Sequence, residues 1–147
     1  MDLDKAYQER VTRREASAKL FSLLPGADEF VSKYGRVPTF HDGEVEEVFL
    51  AKTSPSRICI SINLPDLVGR DKILVTLTAA QIIDVGLEGF SPQNVIDELW
   101  LCAATALPGY YEVVEGDLQL NMEPIYGISG TLVVRDLRVS WDEFHQT

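Results

Sequence analysis

Groups able to do chemistry are scarce in this sequence. It contains only two histidines, and His145 falls among the last three residues, where fraying is expected. Catalytic readings therefore rest on His41. There is no G-x-S-x-G nucleophile elbow and no glycine-rich loop followed by a lysine-bearing helix, so neither an α/β-hydrolase nor a phosphate-cradling nucleotide site is indicated. Cysteine is equally sparse. Cys59 and Cys102 stand in no CxxC or histidine spacing, and free thiols are expected of them in a reducing compartment. Long hydrophobic runs are missing too: the longest uncharged stretch, Leu99 to Tyr111, is too short to span a bilayer and is interrupted by Pro108-Gly109. The first twenty residues mix both charge signs without the apolar core of a secretory signal, which points to the cytosol.

Acidic residues are what the sequence has in excess. Against 13 Lys and Arg stand 23 Asp and Glu, a formal net charge of −10. Such a balance repels phosphate backbones and anionic lipid heads, so nucleic acid and membrane surfaces are poor partners. The excess is unevenly spread. Residues 1–36 carry seven basic and six acidic residues, and the remainder carries a net −11. Acidity of this kind serves solubility, or it steers the surface toward a basic partner. With 147 residues, 46% of them hydrophobic and 24% charged, the chain is expected to form one domain with its own core.

Periodicity divides that domain in two. Residues 4–24 read as an amphipathic helix with Leu3, Tyr7, Val11, Ala18 and Phe21 near one face, and Glu9–Arg13 and Glu15–Lys19 as i,i+4 pairs on the exposed side. Pro25-Gly26 ends it. A second helix is expected from Asp28 to Tyr34, stopped by Gly35 and followed by Pro38. From Glu44 the period shifts to two. Strands are predicted at 45–50, 58–64, 73–78, 81–87, around Leu118, Leu120 and Met122, and at 131–141 with a bulge at Arg135-Asp136. Residues 65–70 read as a hairpin-like connection. The run from Val95 to Leu107 suits a buried helix or a buried strand, and strand is preferred. The expected fold is α+β: N-terminal helices over 1–36, then six to eight mostly antiparallel strands over 37–141 as a layer or a partly rolled sheet.

His41, Asp42 and Glu44 lie within four residues, in a Pro-led loop entering the first strand. A histidine beside a carboxylate suits acid-base work, and the three together suggest a small hydrolase or a metal site. One imidazole and two carboxylates are a thin ligand set, however, and no metal or other cofactor is expected. The competing structural reading has His41 bonded to backbone at the helix-to-strand junction and Asp42 capping the turn. Gly127 and Gly130 read as turn formers. Trp100, Tyr110, Tyr111, Tyr126 and Trp141 read as packing residues, or as interface anchors where exposed.

The segment from Lys33 to Val45, with Tyr34, Gly35, Pro38, Phe40, His41, Asp42 and Glu44, resembles the FG-x-x-P-S-F-H-D-A-E-V signature of the immunity protein 50 family of bacterial polymorphic toxin systems. Downstream, Gly86-Leu87-Glu88-Gly89-Phe90, Gln93-Asn94-Val95-Ile96 and Tyr126-Gly127-Ile128-Ser129-Gly130-Thr131-Leu132 are similar to the family's L-E-G-F, Q-N-V-I and Y-G-L-S-G-x-F segments, in the same order. Thr39 replaces serine and Gly43 replaces alanine, and the long charged N-terminal helix is the larger departure. The resemblance implies a mostly β fold, no catalytic residues and a single kind of partner, a cognate toxin domain that the protein binds and neutralises. A general interaction domain unrelated to toxins is the remaining alternative.

Overall fold

The computed structural model describes residues 2–64, 71–105 and 113–145. Its first helix, α1 (Leu3–Ser22), is rich in Lys, Arg, Glu and Ala, which lose little freedom in a helix. Asp2 caps it, its carboxylate accepting hydrogen bonds from the amides of Asp4 (3.0 Å) and Lys5 (3.3 Å). After the Pro25-Gly26 break, α2 (Ala27–Tyr34) carries acids in its first turn and ends at Gly35 in the left-handed conformation.

The strands are β1 (Glu44–Phe49), β2 (Ser56–Ile62), β3 (Asp71–Glu88), β4 (Val95–Ala103), β5 (Leu118–Tyr126) and β6 (Ser129–His145). They form a closed barrel in the order β1-β2-β3-β6-β5-β4, and all the pairings are antiparallel. The architecture is therefore α+β, with two three-stranded meanders joined at two seams. The β3–β6 seam is long, running from Asp71↔His145 to Glu88↔Ser129. The β1–β4 seam is short, with the single register pair Glu44↔Val95.

Alternation places Ile58, Ile60, Ile62, Ile73, Val75 and Leu77 inside, with Ile96, Leu101, Leu120, Leu132 and Val139 facing them. Phe21, Leu24, Ala27, Phe30 and Phe40 join the same core from the helical segment and the loop after it. Phe30, Tyr34 and Trp141 pack ring against ring, with centroids 4.7 to 5.7 Å apart. The break between the helices is tied to β6, where the Val139 amide donates to the Pro25 carbonyl at 2.9 Å.

Four expectations change. Residues 73–78 and 81–87 belong to one strand, because the apolar run through Ala79 and Ala80 contains no turn former. The register shift falls between Ile82 and Asp84 on β3, while Asp136 on β6 takes a positive φ of 55°. His145 is held in the ladder opposite Asp71. Finally, the apolar stripe of α1 docks only at its C-terminal end: Phe21 is buried in the core, Leu3 and Tyr7 are exposed, and the polar Ser17 is buried beside the stripe. The connection at 65–70 and the residues Tyr110 and Tyr111 lie outside the described residues. Among the described residues, no helix is long and apolar enough to cross a membrane.

Candidate functional site

Three segments of the sequence signature meet at the short seam. Phe40 ends the loop that follows α2, with its ring 5.5 Å from Phe21. Residues 42–45 then run beside β4: Asp42 N–H donates to the Ile96 carbonyl (2.9 Å), Ile96 N–H to Gly43 (2.8 Å) and Val45 N–H to Asn94 (2.8 Å). Asp42 takes a positive φ of 63°, which an Asp tolerates better than most residues. Its backbone makes the turn, and its side chain is exposed rather than capping.

Asn94 is the polar hub of this end. Buried, it accepts through Oδ1 from the amides of Ser91 (2.9 Å) and Ile128 (3.1 Å) and donates through Nδ2 to the Ser91 carbonyl (2.6 Å). A side chain carrying both donor and acceptor is needed for that pattern. Gly127 lies against it. A Cβ there would stand 2.4 Å from the Gln93 carbonyl oxygen and 2.5 Å from Asn94 Oδ1, at a φ of +82°. Gln93, Asn94, Gly127 and Gly130 thus build the barrel end.

His41 is exposed on the same rim. Its Nδ1 is 2.8 Å from the Asp97 carbonyl oxygen. A carbonyl can only accept, so the hydrogen sits on Nδ1 and Nε2 is left facing Asp42 Oδ2 at 3.5 Å. The Asp97 carboxylate lies 3.4 Å from Nδ1. The structure therefore brings His41 to Asp42 and Asp97. Glu44 is placed apart, on β1 opposite Ser61 and Val95. Among the described residues, no three His, Cys, Asp or Glu side chains are grouped to hold a metal ion. Tyr34, at the other end of the signature, donates to Glu143 Oε1, and burial together with that carboxylate pushes its phenol well above the usual range.

A second cluster, not foreseen in the sequence, ties α1 to β4. The Glu98 side chain is 7% exposed and receives a forked pair from Arg13, Nη2 to Oε2 at 2.7 Å and Nε to Oε1 at 3.3 Å. The same guanidinium lies 4.0 Å over the Trp100 ring. Arg10 and Arg14 stand farther off, at 3.8 and 3.7 Å. One turn on, Ser17 Oγ accepts from the Leu101 amide at 2.8 Å, a donor on a stretch of β4 that β1 does not reach. Between α1 and the 37–41 loop runs a groove of about 400 Å³, with Glu98 and Phe40 among its lining residues. The signal for this clamp was an acid inside the apolar run Val95-Ile96-Asp97-Glu98-Leu99-Trp100, which demands a cation when buried. The cation is 85 residues away, so Arg13 does not form the i,i+4 pair with Glu9 that helix spacing suggests.

The three arginines should not be equivalent. Arg13→Ala is expected to cost roughly 2–3 kcal/mol, because it leaves a buried carboxylate without its fork. Arg10→Ala or Arg14→Ala should each cost less than about 1 kcal/mol, as exposed pairs do. Urea denaturation of the three variants checks this, and equal losses would mean that they share the carboxylate.

Comparison of the chain with protein-family models, with curated proteins and with solved structures yields no match.

Proposed function

We propose that this chain is an immunity protein that binds and blocks a cognate toxin domain of a bacterial polymorphic toxin system, acting in the cytosol and without catalysing a reaction. One observation carries the reading. The segments whose residues resemble the family signature are scattered from Lys33 to Leu132, yet parts of all four interlock at one barrel end through Asn94, Gly89, Gly127 and the Asp42–Val45 backbone. Residues that recur together for a common structural reason are what a family signature consists of, so the interlock supports the resemblance from outside the sequence.

The same end supports a binding role better than a hydrolytic one. His41 spends Nδ1 on a backbone carbonyl, and its neighbours are two carboxylates rather than a hydroxyl or thiol nucleophile. Co-expression tests the proposal. Cells making the toxin domain encoded beside this gene should survive when the full chain is supplied and die without it. Equal killing in both cases would overturn the immunity role.

A further inference from the structure

From Ile73 to Val134 the chain has no Lys, Arg or His and eight acidic residues. This stretch supplies β4, β5 and most of β3, along with the beginning of β6, and hence most of the interlocked barrel end. The same end displays large apolar side chains. Phe90 is 57% exposed, Tyr126 59% and Ile125 43%. Gly89 and Gly127 touch backbone to backbone, a Cβ on Gly89 falling 2.7 Å from the Gly127 oxygen. Phe90 and Tyr126 therefore flank a single contact and belong to one rim.

Carboxylates border that rim on both sides. Across the strands, Tyr126 pairs with Val95 and Val95 with Glu44. On the other side Glu88 pairs with Ser129, directly after the Gly127 turn. Glu123 precedes the apolar residues on β5. The arginines of α1 lie over Glu98. Exposed aromatics inside a polar border have the anatomy of an interface hot spot, and a border rich in carboxylates, basic only where the α1 arginines reach Glu98 opposite Glu123, selects a basic partner.

We infer that this rim, with Phe90 and Tyr126 as anchors and Glu88, Glu123 and Glu44 around them, is the face that docks on the toxin domain, and that the toxin surface it fits is basic around an apolar socket. The inference rests on the immunity reading. A second copy of this chain is a poor occupant, because two such rims would set carboxylates against carboxylates.

The test uses the full chain and the catalytically inactivated toxin domain encoded beside it, with binding followed by biolayer interferometry. Phe90→Ser/Tyr126→Ser should weaken binding by about 100-fold or more, mainly through faster dissociation, as loss of paired hot-spot anchors does. Glu88→Lys/Glu123→Lys should slow association about tenfold and flatten its dependence on salt. Leu3→Ser/Tyr7→Ser, which removes comparable exposed apolar surface from α1, should stay within about threefold of the wild type. Thermal melts of each variant separate lost contacts from lost folding.

If the wild type does not bind the toxin domain, the immunity reading itself falls. If it binds and the Phe90/Tyr126 variant, still folded, binds within about threefold, that reading stands and the rim is wrong. Sedimentation that shows a wild-type dimer abolished by the same variant, with toxin binding intact, would assign the rim to self-association and overturn the inference.

Discussion

Gly130→Ala is expected to destabilise the protein by roughly 4 kcal/mol and to lower its melting temperature by about 10 °C or more. Gly130 sits in β6 between two neighbours, opposite Leu87 of β3 and Met122 of β5. Its φ is +120°, a region open to glycine and costly for any side chain. A Cβ would also lie 1.9 Å from the Gly86 carbonyl oxygen, and that atom is backbone in a paired strand, so it cannot swing aside. Relief requires parting β3 from β6. Gly35 is the control. Its φ of +77° is also left-handed, but nothing lies within 4 Å of the added carbon, so Gly35→Ala should cost only about 1 kcal/mol. A calorimetric comparison decides it, and equal losses would mean that backbone conformation alone, not the close approach, sets the cost.

Loss of Arg135 should be nearly as severe, at about 3 kcal/mol. Asp117, whose side chain is 1% exposed, receives Arg135 Nε on Oδ1 and Nη2 on Oδ2, each at 2.9 Å, and the Val114 amide on Oδ2 at 2.9 Å. The Arg135 hydrogen bonds hold its carboxyl below the ordinary 3.8, with the Val114 amide aiding them and burial opposing. The sign of the pH effect follows. A carboxyl lowered in the native state contributes stability that is full above its unfolded pKa and is lost as acid carries the solution through the lower native value. Arg135→Ala therefore removes stability near neutral pH and shrinks the acid-dependent part, and Asp117→Asn should do the same. Urea midpoints measured from pH 7 down to pH 2 check both. A wild-type stability curve unchanged in shape by Asp117→Asn would refute the assignment.

Much of the barrel was legible because alternation is a local signal. Ile58, Ile60 and Ile62, then Ile73, Val75 and Leu77, could face one side only, and the structure buries all six. Position in a turn was equally legible for Gly127, whereas Gly130, expected in the same turn, lies within β6 between β3 and β5, where its positive φ lets the backbones approach. What escaped depends on partners distant in sequence. Helical periodicity assigned α1 a docking stripe from Leu3 to Phe21, of which Phe21 is buried while Leu3 and Tyr7 are exposed, because a buried Glu98 and the Leu101 amide draw Arg13 and Ser17 inward. Ring closure was invisible for the same reason, since no local pattern says that β3 meets β6 or that β1 returns to β4. At the candidate site, the adjacency of His41, Asp42 and Glu44 was misleading. The turn at Asp42 leaves Asp42 beside the imidazole but carries Glu44 away onto β1, and Asp97, more than fifty residues downstream, takes the second place beside the ring.

The unequal seams have a consequence for how the chain is made. Each meander can assemble from neighbouring strands, but the ladder that unites them joins residues as remote as Asp71 and His145, and β6 pairs with both β3 and β5. Such contacts carry a large loop-closure cost, and folding slows as they come to dominate. During synthesis β3 must wait with one edge uncovered until β6 has left the ribosome, and an uncovered edge invites wrong pairings. The helices emerge first, yet α1 cannot be clamped before Glu98 exists.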